Sequence, residues 1–402
     1  MSLPQRRGAR PIFLAPLGIH TRYMLASYLR HILMVAAALM TIALTIDLWP
    51  QVALLPGSGP LAVLDVIKLA ALRLPDLLPP FLPFATFLGV VWAESTFTES
   101  RERMLVWNSG RSPLLCLVPA ALVGLAMGAT LFVVDALLRP AAIHVQIAEK
   151  LGREGIRLDR SQSGGNHWIA LQDGLLRAEI EYGPPARLRN TTIYKLDSQG
   201  HLYEVDTAAR ATPQSNGGWL LEEGHYWRAD FADQGNVLST GPTSQEAELP
   251  FRTRTIVMAL NEQWLRNLGL SPQYLRLGEL KTLSRAHLVS RDEYGYRTRL
   301  QAVYSEPLLA IAMALLGVSL SMLFFAYRTR WLALVGVLLA GYLAHFASRA
   351  FYLMGEFGYI SSVMATWVVP GLLLAAVVGV LVRIQQKRGL GITLQDAPEL
   401  TS

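Results

Sequence analysis

Cysteine is almost missing: Cys116 is the only one in 402 residues. An internal disulfide is therefore impossible, and so is any metal site built on paired cysteines. Charge is scarce too. Asp, Glu, Lys and Arg make up 16% of the chain, against about 25% in an ordinary soluble domain. Nucleotide-binding signatures are also lacking, since no Gly-rich loop ends in Lys-Ser or Lys-Thr to cradle phosphates, and no His-Glu-x-x-His is present. Any work the chain does must draw its energy from a partner or an ion gradient. Cys116 sits in an apolar run, where a buried, inert thiol is expected.

What is abundant is hydrophobicity, at 52% of residues with a mean hydropathy of +0.31. It is concentrated in runs long enough to cross a hydrocarbon core of about 30 Å. They cover about His31–Leu55, Leu69–Trp92 and Leu114–Leu138. A second group covers Leu300 or Pro307 to Tyr327, Trp331–Met354 and Ser361–Val382. The second run carries Pro75, Pro79, Pro80 and Pro83, which predicts a kinked or broken helix. Gly124 and Gly128 in the third form a small-xxx-small pair able to bring two backbones close.

A net charge of +6 does not point to nucleic acid, because the basic residues flank the apolar runs. Arg6–Arg30, Arg101–Arg111, Arg328/Arg330 and Arg383–Arg388 fall on one side of such a membrane array, while the 56–60 and 355–360 loops have no basic residue. This asymmetry predicts cytoplasmic termini and places the polar block between the two groups of spans outside the cytoplasm. The first apolar run comes late and has no small-residue cleavage site after it, which argues against a signal peptide.

The polar block, residues 140–265, reads as short strands broken by Gly, Asp and Pro. Trp168–Leu171, Leu176–Tyr182, Thr191–Leu196, His201–Val205, Trp219–Leu221 and Tyr226–Phe231 are the expected strands, with turns at Asp173-Gly174, Asp197–Gly200 and Glu222–Gly224. Six membrane helices, three plus three, with an inserted antiparallel all-β sandwich or roll outside the cytoplasm are the expected architecture. His144, His167, His201 and His225 lack metal-ligand spacing, so no metal or other cofactor is expected. Residues 266–299 read as a helical linker with an apolar face of Leu275, Leu277, Leu280 and Leu283, and 384–402 as a cytoplasmic tail.

Arg349 stands out as an intramembrane charge, about 27 Å along the fifth span at 1.5 Å per residue. It can snorkel to the interface or pair with Asp47 or Asp135. His345 lies one turn deeper, where a packed neutral imidazole is the simpler expectation.

Several segments, in order, resemble the LptF/LptG permease family of lipopolysaccharide export. Arg22-Tyr23 opens the first helix, and Leu74-Pro75 through Pro83 is similar to a proline-rich second helix. Glu102-Arg-Met-Leu-Val-Trp-Asn-Ser109-Gly110 is similar to the coupling helix within 98–111, and Arg139-Pro140-Ala141 to the exit of the third helix. Trp168-Ile169, Ile193–Asp197 and Gly218–Gly224 resemble its strand signatures, and Glu306-Pro307-Leu308 and Ala365–Pro370 the starts of its fourth and sixth spans.

The resemblance implies a non-enzymatic permease subunit in a bacterial inner membrane, a membrane α-helical bundle of six helices with an inserted periplasmic all-β jelly-roll-like domain. Its implied partners are a cytoplasmic ABC ATPase dimer, a second LptF-like permease, a single-span LptC-like protein, a periplasmic bridge and a lipid; nucleic acid is not among them. It assigns Glu102, Arg103, Ser109 and Gly110 to ATPase coupling, and Asp47, Trp49, His345 and Arg349 to the lipid gate. Asp47 inclines the reading to LptG over LptF. Two departures stand out: the first helix ends without basic residues, and Val303, Tyr304 and Glu306 replace the basic residue expected before Pro307. They leave open a paralogue exporting a different lipid, and a non-transporting scaffold that relays an ATPase stroke to a periplasmic partner.

Overall fold

The structure is a computed structural model that describes residues 18–52, 60–108, 113–157, 165–171, 173–182, 185–214, 217–229, 249–258, 260–285, 292–325 and 331–395. The chain begins with α1 (Ile19–Val52), α2 (Pro60–Glu99), α3 (Glu102–Asn108) and α4 (Pro113–Val133). A π-helical turn, Val134–Leu138, carries α4 without a break into α5 (Arg139–Ala148), and α6 (Gly152–Arg157) follows. Six strands come next: β1 (Asn166–Leu171), β2 (Gly174–Glu181), β3 (Arg187–Leu196), β4 (Leu202–Pro213), β5 (Gly218–Arg228) and β6 (Leu249–Val257). After α7 (Glu262–Arg266), a 3₁₀ turn (Pro272–Tyr274) and α8 (Leu277–Leu283), the chain closes with α9 (Asp292–Phe324), α10 (Trp331–Glu356) and α11 (Ser362–Gln395).

Six of these helical stretches are long and apolar enough to cross a membrane: Ile19–Gln51, Val63–Glu99, Leu117–Ala148, Glu293–Phe324, Trp331–Glu356 and Ser362–Gln386. Several outrun the apolar runs of the sequence, because intrahelical hydrogen bonding does not stop at a hydrocarbon boundary. In α9, 61% of the apolar window is buried, against 11% in α1 and in α10. The bundle is thus built around α9, which packs on α2, α4, α10 and α11. Gly124 and Gly128 make the α4–α9 contact possible: a Cβ on Gly128 would lie 2.7 Å from the Pro307 carbonyl oxygen, and one on Gly124 2.9 Å from Ile311 Cα.

The expected break does not occur: α2 runs as one helix from Pro60 to Glu99 through its four prolines. Pro80 cannot donate to the carbonyl of Asp76, four residues earlier. That oxygen is satisfied from outside the helix instead, by Arg139 Nη2 at 2.8 Å.

The strands form one antiparallel sheet in sequence order, β1 to β6. The roll expected from the sequence takes the form of this meander, and no second sheet exists among the described residues. Ile169, Leu176 and Ile193 sit opposite one another across β1, β2 and β3 and are buried. The apolar cluster they belong to includes Ile143, Trp264, Tyr274, Leu280, Leu283 and Val303, so the linker helices and the adjoining ends of α5 and α9 share the core of the sheet.

One expected turn is absent. β5 continues through Glu222–Gly224, with Glu223 in the left-handed region at φ 52°. Gly224 is there for proximity: a Cβ would lie 2.0 Å from the Thr207 carbonyl oxygen and 2.6 Å from the Phe251 ring. Tyr226–Arg228 of the expected 226–231 strand therefore ends β5, and residues 230 and 231 lie outside the described residues; β6, with Arg252 and Arg254, is a strand the sequence reading does not include. The Asp197 turn does form. His201 N and Gln199 N donate to Asp197 Oδ1 at 2.8 and 2.9 Å, and these bonds, His201 first, hold its carboxyl below the usual range.

Candidate functional sites at the two ends of the bundle

Polar side chains are expensive to bury in an apolar bundle, so they mark places where something is held or moved. They gather at both ends. At the end away from the sheet, α3 lies across α1 and α2. Tyr28 of α1 donates to the Glu94 carboxylate of α2, and Arg103 of α3 pairs with the same carboxylate. All three are buried, at 0%, 1% and 3% exposure. The adjacent Glu102 is half-buried and accepts from Tyr23 Oη at 3.4 Å. It faces a small hollow lined by His20, Tyr23, Met24, Phe97, Glu102 and Arg103. Of the four coupling residues named from the sequence, Glu102 opens outward and Arg103 turns inward; Ser109 and Gly110 lie outside the described residues, as does the Cys116 side chain.

At the sheet end, six charges alternate in a ladder. Arg73 grips Asp47 with two bonds, Nε to Oδ2 at 2.7 Å and Nη2 to Oδ1 at 2.8 Å, and reaches Asp76 at 3.1 Å. Arg139 then bridges Asp76 at 2.9 Å and Asp135 at 2.9 Å, and Arg299 closes on Asp135 at 2.5 Å. Three carboxylates face three guanidinium groups, so the ladder carries no net charge. It ties α1, α2, the π turn, α5 and α9 together, that is, the first three spans to the fourth. Tyr274 donates to Asp76 at 3.1 Å; burial first, and the Asp76 charge second, raise its phenol above the usual range.

The gate residues named from the sequence are not brought into one site. Asp47 belongs to the ladder, while Trp49, one half-turn on, is 83% exposed. Arg349 pairs with neither Asp47 nor Asp135, whose arginine partners are nearer. Its partner is Glu306, at 3.5 Å. The pair borders a small cleft between α9, α10 and α11, with Ser305, Ser348, Tyr352 and Thr366 also on its wall. His345 stacks on Phe84 at 5.3 Å, beside that cleft but not in it.

The sheet carries a third cluster. The row Ile169–Leu176–Ile193 continues into Asp206 of β4, which is fully buried. Arg254 reaches Asp206 at 2.7 Å and Glu204 at 2.9 Å; Lys195 reaches them at 3.4 and 2.8 Å. Burial raises the Asp206 carboxyl. For Glu204 burial acts the same way, but Lys195 and Arg254 outweigh it and hold the carboxyl low. Burial works against the Lys195 ammonium, yet the two carboxylates raise its pKa.

Sequence reasoning missed Tyr28, Arg73, Asp76, Glu94, Arg299 and Glu306 as interacting groups. The available signal was an ionisable residue inside an apolar run, as in Leu72-Arg73-Leu74 and Trp92-Ala-Glu94. Among the described residues, no group of three His, Cys, Asp or Glu side chains is placed to hold a metal ion.

The comparison with curated proteins gives no match. A family model, described as lipopolysaccharide export system permease LptF/LptG, covers residues 22–383, from the arginine that opens α1 to the one near the end of α11. With a membrane bundle, an inserted sheet and a match of that extent all present, the chain belongs to the LptF/LptG family.

Proposed function

We propose that this chain is one of two permease subunits of an exporter that lifts lipopolysaccharide, or a related lipid, out of a bacterial inner membrane. The sheet then lies in the periplasm and both termini in the cytoplasm, as the basic loops suggest. The observation that carries the reading is the pair of thinly covered helices. α1 and α10 turn apolar side chains such as Ile46, Trp49, Leu339 and Phe346 outward, while the core of the bundle forms around α9. Such faces suit a second permease across a lipid-filled seam. A cytoplasmic ABC ATPase dimer supplies the force, and an LptC-like protein and a periplasmic bridge receive the lipid beyond the sheet.

In this reading Glu102 is the ATPase contact, since it opens to the hollow, while Arg103 serves the interior. Replacing Glu102 by arginine is expected to weaken ATPase co-purification by about tenfold or more, as reversal of an interfacial charge does. The permease remains in the membrane. A pull-down at the normal ratio removes the assignment.

Arg349 supplies the headgroup contact. Its bond to Glu306 is long and single, and the arginine is one-third exposed beside the cleft. Arg349→Glu is expected to strip co-purified lipid from the complex in native mass spectrometry. Retained lipid moves the headgroup contact elsewhere, and a wild-type complex that never carries lipid favours the scaffold reading instead.

A further inference from the structure

One carboxylate at the α3 end joins three separate helices. Glu94 of α2 holds Tyr28 of α1 and Arg103 of α3, and all three side chains are sealed from solvent. The Arg103 guanidinium also lies 6.0 Å from the centre of the Phe97 ring. If α3 needed only to be glued down, an apolar residue at 103 would do so without desolvating a charge, and such replacements are often neutral or stabilising. An ion pair with a hydrogen-bonded phenol adds direction: it resists sliding and rotation, where apolar contact yields. Its neighbour Glu102, about 100° round the helix, opens toward the hollow. Adjacent residues of α3 thus point to opposite tasks.

We propose that the Tyr28–Glu94–Arg103 triad is the positioning linkage that carries displacement of α3 into α1 and α2; this rests on the ATPase-partner reading of Glu102. α1 is the natural receiver. It is 34 residues long, roughly 50 Å as a helix, and buries little of its apolar window. Near the α3 end its Met24, Tyr28 and Ile32 are buried, and near the sheet end Asp47 is locked to Arg73. A push at Tyr28 therefore reaches the far end of the bundle along a continuous rod whose inner face rests on α2. Tyr28, Glu94 and Arg103 are buried among α1, α2 and α3 and act by holding these helices in register.

The test uses the whole complex of both permeases and the ATPase dimer, in vesicles of phosphatidylethanolamine and lipopolysaccharide. Tyr28→Phe and the double variant Glu94→Gln/Arg103→Met are compared with the unaltered chain. Both are expected to retain the ATPase at the normal ratio and to go on hydrolysing ATP. Lipopolysaccharide transferred to the bridge protein per ATP consumed falls about tenfold in the double variant, as for a misplaced working part, and less in Tyr28→Phe. Spin labels at Leu105→Cys and Ile46→Cys, in a Cys116→Ser background, lose their ATP-driven distance change in the double variant. Transfer per ATP at the normal value in either folded variant overturns the linkage, as does loss of the ATPase from both, which would make the triad an assembly contact. Glu102→Arg, run alongside, reports separately on the partner reading: a complex that keeps its ATPase despite that change sinks the reading whatever the triad variants do.

Discussion

Arg139→Leu is expected to destabilise the protein by roughly 3–5 kcal/mol, the cost of removing one member of a buried charge array. Three of its nitrogens are engaged at once: Nε with Asp76 Oδ1, Nη1 with Asp135 Oδ1 and Nη2 with the Asp76 carbonyl. The change leaves three carboxylates facing two guanidinium groups in a buried setting. It also orphans a carbonyl that α2 cannot satisfy, because Pro80 has no N–H to give. Arg139→Lys restores the charge but not the fork, so it should recover only part of the loss. The measurement is the thermal midpoint of detergent-solubilised protein. A leucine variant that melts with the unaltered protein would mean that the ladder contributes nothing to stability.

Gly128→Leu is expected to be the most damaging substitution of a small residue in α4. The obstacle to its Cβ is the backbone oxygen of Pro307, 2.7 Å away, with the Pro307 carbonyl carbon at 3.3 Å; neither can rotate aside. Overpacking of this kind costs about 1–3 kcal/mol and sometimes more. Here it wedges α4 from α9, the helix on which α2, α10 and α11 also lean. Gly124→Ala should be milder, since its obstacles are Ile311 Cα at 2.9 Å and the Ala314 methyl at 3.1 Å. Gly371→Leu is the control, with nothing within 4 Å of its added carbon. Equal expression and equal thermal midpoints for Gly128→Leu and Gly371→Leu would show that the close approach is dispensable.

The spans were legible because a hydrocarbon core demands long apolar runs, and six such runs were there to read. The Gly124/Gly128 pair was visible as spacing; that it faces Pro307 and Ile311 was not, because helix pairing is not written in either helix alone. The sheet followed from period and punctuation where strands are short and apolar. It failed at Gly224, read as a turn when the glycine in fact admits a neighbouring strand, and at β6, whose arginines disguise it. The charged groups were hardest to place. Asp47, Arg349 and Glu102 each announced themselves, but their partners lie on other helices: Asp47 meets Arg73, Arg349 meets Glu306, and Glu102 meets Tyr23. Such pairings depend on which faces of separate rods end up opposed.

The π turn at Val134–Leu138 bears on that opposition. A wider turn accommodates an additional residue, and each residue advances a helix by about 100°. Below the turn the helix offers its glycines to α9; above it, Arg139 and Gln146 are offered to α2. One unbroken rod thereby changes dancing partner midway. Trimming a single residue from the turn would swing Arg139 off Asp76 while leaving the glycine seam untouched, unhitching one half of the helix from its neighbour without disturbing the other.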